Sequence, residues 1–356
     1  MSGVSEKFKN ISLGCFGCMG CIILLILLCG GLTFFGFMNT ALESFHTEES
    51  AAKVSFKYDP DSLKEVYLAG TRKITSMTPR IAVIRVKGVM VSNPDGSFGN
   101  YCDSRLICMQ IRRAAADPAV KGVILELDTP GGEVAAAETI YQELSSFRSR
   151  TKKPLAAVMN SMAASGGYYI AAICSPIVAN RSTLTGSIGV IISTVNYSGL
   201  FTKLGLESET YTSGKMKDML SGGRKRTPGE IAVVRSLVEE SYSDFVKIVS
   251  THRNIPEEVL RKGPAGDGRI LSGRQALELK LVDQLGTLRD AYYGTAKKLG
   301  LSGRSHCLIT YEEGFDLTRM ANLLFSGIQP LKFSLQGPAG SFIPRKGVLY
   351  YLPCGL

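Results

Sequence analysis

Three short stretches hold residues whose types and spacing could carry out acyl transfer. "NSMAASGGYYIAA" (Asn160–Ala172) sets Ser165 directly before two glycines. A serine hydroxyl is a weak nucleophile and needs a base within hydrogen-bond reach. "TSGKMKDML" (Thr212–Leu220) is a Gly/Ser-flanked loop carrying Lys215 and Lys217. A lysine near its ordinary pKa of about 10.4 is protonated and cannot accept a proton. Burial disfavours the charged form, and a neutral lysine can then take the serine proton. "DTPGGE" (Asp128–Glu133) places Gly131 and Gly132 at a strand-to-helix turn. Backbone N–H groups there, with the positive end of the helix, could stabilise an oxyanion.

Each stretch also has a plain structural reading. A serine beside glycines can be a tight packing position, a glycine pair can be an ordinary turn, and a loop lysine can be a solvated surface charge. Spacing alone does not choose between Lys215 and Lys217. Histidine is the other possible base, and the chain has three: His46, His252 and His306. None lies in a glycine-rich loop or at a strand end, where α/β folds usually place their sites.

The elements that must position these residues follow a regular order. "IAVIRVKGVMV" (Ile81–Val91), "VKGVILELD" (Val120–Asp128) and "PLAAVMN" (Pro154–Asn160) are apolar and largely β-branched, which predicts strands. "PIVAN" (Pro176–Asn180) and "SIGVIIS" (Ser187–Ser193) predict two more. Helices are expected from an Asp103 cap to about Ala116, from Glu133 to Phe147 and from about Ser165 to Ile173. Strands alternating with helices imply parallel βαβ units, whose strand ends gather on one side of the sheet. Thr227-Pro228-Gly229-Glu230 reads as a capping box opening a long amphipathic helix to about Arg253. A second capped helix starts at Ser272 and a last one covers Thr287–Gly300.

The 356 residues are 45% hydrophobic and 20% charged, enough for one large domain or two modest ones with a substantial core. Lys and Arg total 41 against 31 Asp and Glu, a net charge of +10, but no nucleic-acid module accompanies the excess. From Asn10 through Leu42 no residue is charged, and "CIILLILLCGGLTFFGF" (Cys21–Phe37) is nearly continuous apolar sequence. A bilayer core needs roughly 20 such residues as a helix. Lys7 and Lys9 precede it and Glu43, Glu48 and Glu49 follow it. These charges predict an uncleaved single-pass anchor in the cell membrane, with the N-terminus cytoplasmic and the rest on the far side. Of nine cysteines, Cys15, Cys18, Cys21 and Cys29 lie in or beside this anchor. Cys102, Cys108, Cys174, Cys307 and Cys354 would face an oxidising space, with at least one unpaired unless it pairs between chains.

The expected organisation is a short cytoplasmic N-terminus (1–20), an anchor (21–40) and a stalk with helical pieces (41–79). A catalytic domain (80–310) and a C-terminal tail or subunit contact (311–356) follow.

Five motifs occur in order: "LDTPGG" (Leu127–Gly132), "NSMAASGGYYIA" (Asn160–Ala171), "LTGSIGV" (Leu184–Val190), "SGKMKD" (Ser213–Asp218) and "GRILSGRQALELKLVD" (Gly268–Asp283). Together they resemble the signal peptide peptidase A family in its short, single-copy form. The resemblance covers about residues 80–300. It implies a Clp/crotonase-like α/β fold, a repeated ββα superhelix with a mostly parallel sheet, behind one transmembrane helix. It also implies a membrane-anchored serine endopeptidase acting on remnant signal peptides and other unfolded or membrane-derived peptides.

The resemblance assigns Ser165 as nucleophile, Lys217 as base, Ser187 as the residue that orients the lysine, and Gly132 as an oxyanion donor. Lys215 is then a bystander. It implies homo-oligomers in which serine and lysine can come from neighbouring subunits. No cofactor, metal or nucleic acid is implied.

One departure stands out. The family run often reads "KDxxSPxR", whereas here it is "KDMLSGGRKR" (Lys217–Arg226), which predicts a more mobile loop. Two other readings use the same fold: a non-catalytic, membrane-tethered peptide-binding scaffold, and a crotonase-type acyl-CoA enzyme.

Overall fold

The computed structural model describes residues 59–94, 100–301, 305–313 and 350–351. The apolar segment Cys21–Phe37 lies outside these residues. Among the described residues no helix is long and apolar enough to cross a membrane.

After a 3-10 turn at Pro60–Ser62, β1 (Leu63–Gly70) leads to β2 (Arg80–Lys87). β3 (Val89–Val91), β4 (Tyr101–Asp103) and α1 (Ser104–Ala116) follow. The pattern then repeats: β5 (Val120–Thr129), β6 (Gly132–Glu133) and α2 (Val134–Thr151). β7 (Leu155–Ala164) runs into the short α3 (Gly166–Ala171). Next come β8 (Ile177–Ala179), β9 (Leu184–Gly186), α4 (Ser198–Lys203) and the long α5 (Pro228–Arg253). The remaining elements are α6 (Glu257–Lys262), β10 (Ile270–Ser272), α7 (Gly273–Glu278), β11 (Gln284–Leu285), α8 (Leu288–Lys298), β12 (Cys307–Glu313) and β13 (Tyr350–Tyr351).

The larger sheet runs β1-β12-β2-β5-β7-β8-β11, with β9 on β7 and β10 on β9. Its pairs are parallel except β1–β12 and β10–β9. Parallel sheets are covered on both faces, so their strands are apolar throughout. In β2, Ala82, Ile84 and Val86 enter a core shared with Ile111 of α1, Phe147 of α2, Tyr169 of α3 and Phe245 of α5. Ile81 and Val83 face the other way, against Ala291, Tyr292 and Ala296 of α8. The smaller sheet runs β13-β6-β3-β4.

The capping signals act as the sequence predicts. Asp103 accepts from Arg105 N, and Thr227–Glu230 and Ser272–Gln275 form capping boxes. Each such cap contributes about 1 kcal/mol.

Elsewhere the structure departs from the sequence reading. The strand expected over Ile81–Val91 breaks at Gly88, whose φ is +87° and where a Cβ would lie 2.0 Å from Asn100 O. The strand expected over Ser187–Ser193 is not formed. Leu184–Gly186 is the strand, and Gly186 (φ +72°) and Ser187 (φ +50°) turn the chain away. Residues 63–70, assigned to a helical stalk, form β1, and its partner β12 comes from the far end of the chain. Tyr350 and Tyr351, in the expected tail, pair with β6.

Cys102, Cys108, Cys174 and Cys307 are buried free thiols. Burial pushes Cys102 and Cys108 up to about 12. Cys354 lies outside the described residues.

Candidate active site

The parallel register brings the ends of β5 and β7 together, with Thr129 opposite Ala163. Ser165 is the residue between β7 and α3. Its φ of 52° and ψ of −116° are unfavourable for a residue with a Cβ; such strain costs roughly 1–3 kcal/mol and persists only where the surroundings over-determine it. Here they do. Ser165 N–H donates to Gly186 O at 2.8 Å, and Ser165 O accepts from Tyr169 N at 2.9 Å. Gly167 lets α3 approach β5, since a Cβ there would lie 2.8 Å from Thr129 Cγ2. Tyr168 OH donates to Leu281 O at 2.8 Å. Tyr169 OH donates to the Glu138 carboxylate, and its ring stands edge-on to Tyr141 and Phe245. "GGYY" therefore both admits and anchors the turn.

Ser165 is fully buried, and among the described residues its Oγ has no hydrogen-bond partner. A buried hydroxyl left unpaired costs about 1–3 kcal/mol and is rare in native structures. It sits where the first N–H groups of α3 lack intrahelical acceptors. The geometry thus presents a strained, unpaired hydroxyl at a helix start.

Gly131 and Gly132 divide their backbone groups. Gly131 (φ +105°) donates its N–H to Thr129 Oγ1 at 3.0 Å, and its carbonyl accepts from Met90 N at 2.8 Å. The Gly131–Gly132 peptide is trans, so the Gly132 N–H points opposite to that carbonyl, away from β3. On that side β13 pairs antiparallel, Tyr351 with Gly132 and Tyr350 with Glu133. A Cβ at Gly132 would fall 2.0 Å from Met90 O, so the position requires glycine. Of the two candidate donors, Gly131 is bonded to Thr129, and Gly132 faces the side of β6 that β13 occupies.

Ser187 follows Gly186, which pairs with Ala164 and accepts the Ser165 N–H. The strand pairing therefore sets Ser187 beside Ser165. Ser187 is buried, in a left-handed conformation, and its N–H donates to Arg269 O at 2.8 Å.

The structure does not bring Lys217 to this cluster. Lys215 and Lys217 are both exposed, on a loop between α4 and α5. Lys217 N donates to Gly214 O at 3.0 Å, and within the described residues its ammonium makes no ion pair. Large apolar side chains are exposed along the same connection, including Tyr211 (90% exposed), Leu204 (63%), Leu206 and Met216. The histidines do not replace it: His252 bonds Tyr141 OH at 2.9 Å, and buried His306 packs its ring against Tyr292, its nitrogens without a hydrogen-bond partner among the described residues. His46 lies outside the described residues.

At its roots the loop is tightly held. A Cβ at Gly222 would lie 2.2 Å from Val195 O, so this glycine serves close approach rather than freedom. Arg224 grips two carboxylates. Its Nε and Nη2 donate to Asp218 at 2.8 and 2.6 Å, and its Nη1 and Nη2 donate to Glu230 at 3.0 and 2.5 Å. The Arg224 hydrogen bonds hold Asp218 below the usual carboxylate range and Glu230 down to about 2. Arg226 adds bonds to Met219 O and Thr194 Oγ1. Sequence reasoning missed this cluster. Its available signal was an arginine lying between Asp218 and the capping-box Glu230.

Residues 148–302 match the model of peptidase family S49. Over 242 residues the chain is 41% identical to a putative signal peptide peptidase SppA of Enterococcus faecium, covering 65% of this chain and 70% of that one. It is 35% identical over 245 residues to a putative protease of Synechocystis sp., covering 69% and 83%. The chain belongs to the signal peptide peptidase A family. As an S49 member it is a serine peptidase. A chloroplastic serine protease SPPA of Arabidopsis thaliana is 30% identical over 224 residues, which is 62% of this chain but 32% of that one. Within this S49 peptidase the matched segment contains Ser165, Ser187 and Lys217, whereas Gly132 lies before it.

Proposed function

We propose that this serine peptidase is a membrane-anchored endopeptidase whose Ser165–Lys217 dyad is completed between neighbouring copies of the chain. One observation carries the reading: Ser165 Oγ is buried on a strained turn with no partner among the described residues, while Lys217 stands exposed on a separate loop. The exposed apolar side chains of the Lys217 loop suit burial against a second copy. A lysine acts as base only in its neutral form, and such burial favours that form.

In the proposed reaction Ser165 Oγ attacks the scissile carbonyl carbon while Lys217 Nζ takes the hydroxyl proton. With substrate in place of Tyr350–Tyr351 along β6, the Gly132 N–H and the first-turn amides of α3 would receive the oxyanion. The C–N bond then breaks, and the Lys217 ammonium protonates the leaving amine. Water attacks the acyl-enzyme as Lys217 takes its proton; the ester C–O bond then breaks, Lys217 returns that proton to Ser165 Oγ, and the acid product leaves. Ser187 would orient the lysine amine.

The substrate would bind as an extended strand. The outer side of β6 already accepts an antiparallel segment, Tyr350–Tyr351, beside Gly132. Remnant signal peptides and other unfolded or membrane-derived peptides are the proposed substrates, in keeping with the name of the Enterococcus relative. The apolar segment Cys21–Phe37 would hold the enzyme in the membrane, with its peptidase domain on the extracytoplasmic side. The repeated order β2-β3-β4-α1 and β5-β6-α2, with second strands gathered in a separate sheet, supports a Clp/crotonase-like superhelix.

The test is labelling of the purified assembly by a serine-directed acylating probe. Wild type should label at Ser165, and Ser165→Ala and Lys217→Ala should not, while Lys215→Ala should label normally. Labelling of Ser165→Ala at the wild-type rate would overturn the reading, and loss of labelling in Lys215→Ala alone would move the base to that residue.

A further inference from the structure

We propose that Arg224 is a positioning residue for the base: it locks Asp218, and with it the backbone next to Lys217, to the first turn of α5. This rests on the assignment of Lys217 as base. Asp218 is covalently adjacent to Lys217, and its side chain is 15% exposed. The planar guanidinium of Arg224 engages both Asp218 oxygens and both Glu230 oxygens. Glu230 is a firm anchor. Its side chain is 2% exposed, it accepts from Thr227 N at 2.7 Å, and it completes the capping box of a 26-residue helix.

The tie is one-sided. From Lys217 toward the loop apex, the bond from Lys217 N to Gly214 O is local to the turn. On the other side the chain is clamped within one residue of the base. An exposed lysine on a loop would otherwise sample many positions, and misplacement by about 1 Å can cost about 100-fold in rate. A lysine in place of Arg224 is a point donor and cannot hold both carboxylates in one plane.

The test is a double-mutant cycle on peptide hydrolysis by the full assembly. Arg224→Gln should lower kcat about ten- to a hundred-fold and leave KM within about two-fold, because the base is displaced and the peptide strand is not. Asp218→Asn should lower kcat to a similar degree. The double variant should be no slower than Arg224→Gln alone, because both substitutions cut one tie. Arg224→Lys should recover part of the loss.

Wild-type kcat in Arg224→Gln, or losses that multiply in the double variant, would overturn the proposal. If Arg224→Gln fails to fold, Asp218→Asn decides alone, since it leaves the Arg224–Glu230 pair in place. Wild-type kcat there would again overturn it. Lys217→Ala run alongside separates the two assignments. Activity in that variant removes the base itself, whereas an inactive Lys217→Ala beside a fully active Arg224→Gln removes only the role of Arg224.

Discussion

The Ser165 turn and the Lys217 loop are built in opposite ways. Around Ser165 every neighbour is internal: backbone bonds to Gly186 and Tyr169, the close pass of Thr129, and tyrosines fastened to α2, α5 and the Leu281 carbonyl. That density lets the fold hold a conformation which would otherwise relax. The Lys217 loop is held at its roots by Arg224, Arg226 and Gly222, and along its length it exposes leucines, Tyr211 and Met216. The first region is finished within one chain. The second is fixed in place yet uncovered, which is what a surface awaiting another protein surface looks like. The difference teaches that, in the proposed dyad, the chain folds its own nucleophile but presents its base outward.

Two substitutions sharpen that comparison. The larger effect is expected on the internal side. Gly132→Ala forces a methyl to within 2.0 Å of Met90 O, so the turn must shift and take the Gly132 N–H with it. Loss of one oxyanion donor typically costs about 100- to 1,000-fold in kcat. A steady-state assay should find a fall of that order, and wild-type kcat would remove Gly132 from the site.

The smaller effect belongs to the roots of the outer loop. Glu230 is held at about 2 against an ordinary 4.5, so its carboxylate stabilises the folded state above about pH 4.5 and ceases to do so as the pH falls through 2. Glu230→Gln should therefore melt below wild type at neutral pH, with the gap closing as the pH approaches 2. A gap independent of pH would mean that the ionised carboxylate is not what fastens the loop to α5.

What the sequence disclosed follows the same division. Ser165, the Gly131–Gly132 pair and the capping boxes were legible because local chemistry specifies them: a glycine-flanked serine after an apolar strand, a glycine pair at a strand end, a Thr three residues before a Glu. β1 was not legible, because "LKEVYLAG" becomes a strand only by pairing with residues 307–313. Ser187–Ser193 is β-branched enough to suggest a strand, yet the left-handed turn at Gly186–Ser187 decides otherwise. Gly222 and Gly223 suggested mobility, whereas close contacts with Val195 and Ser208 require small residues there. The choice between Lys215 and Lys217 came from family resemblance alone, and both remain exposed in the single chain.

The central claim is that one chain supplies the serine and another the lysine. It is tested most directly by co-assembling Ser165→Ala and Lys217→Ala subunits and assaying peptide hydrolysis. Each variant alone should be inactive, and the mixed assembly should regain a substantial part of wild-type activity, because some sites then join an intact Ser165 to an intact Lys217. Confirmed co-assembly with no recovered activity would contradict the account and place both residues of each site in the same chain.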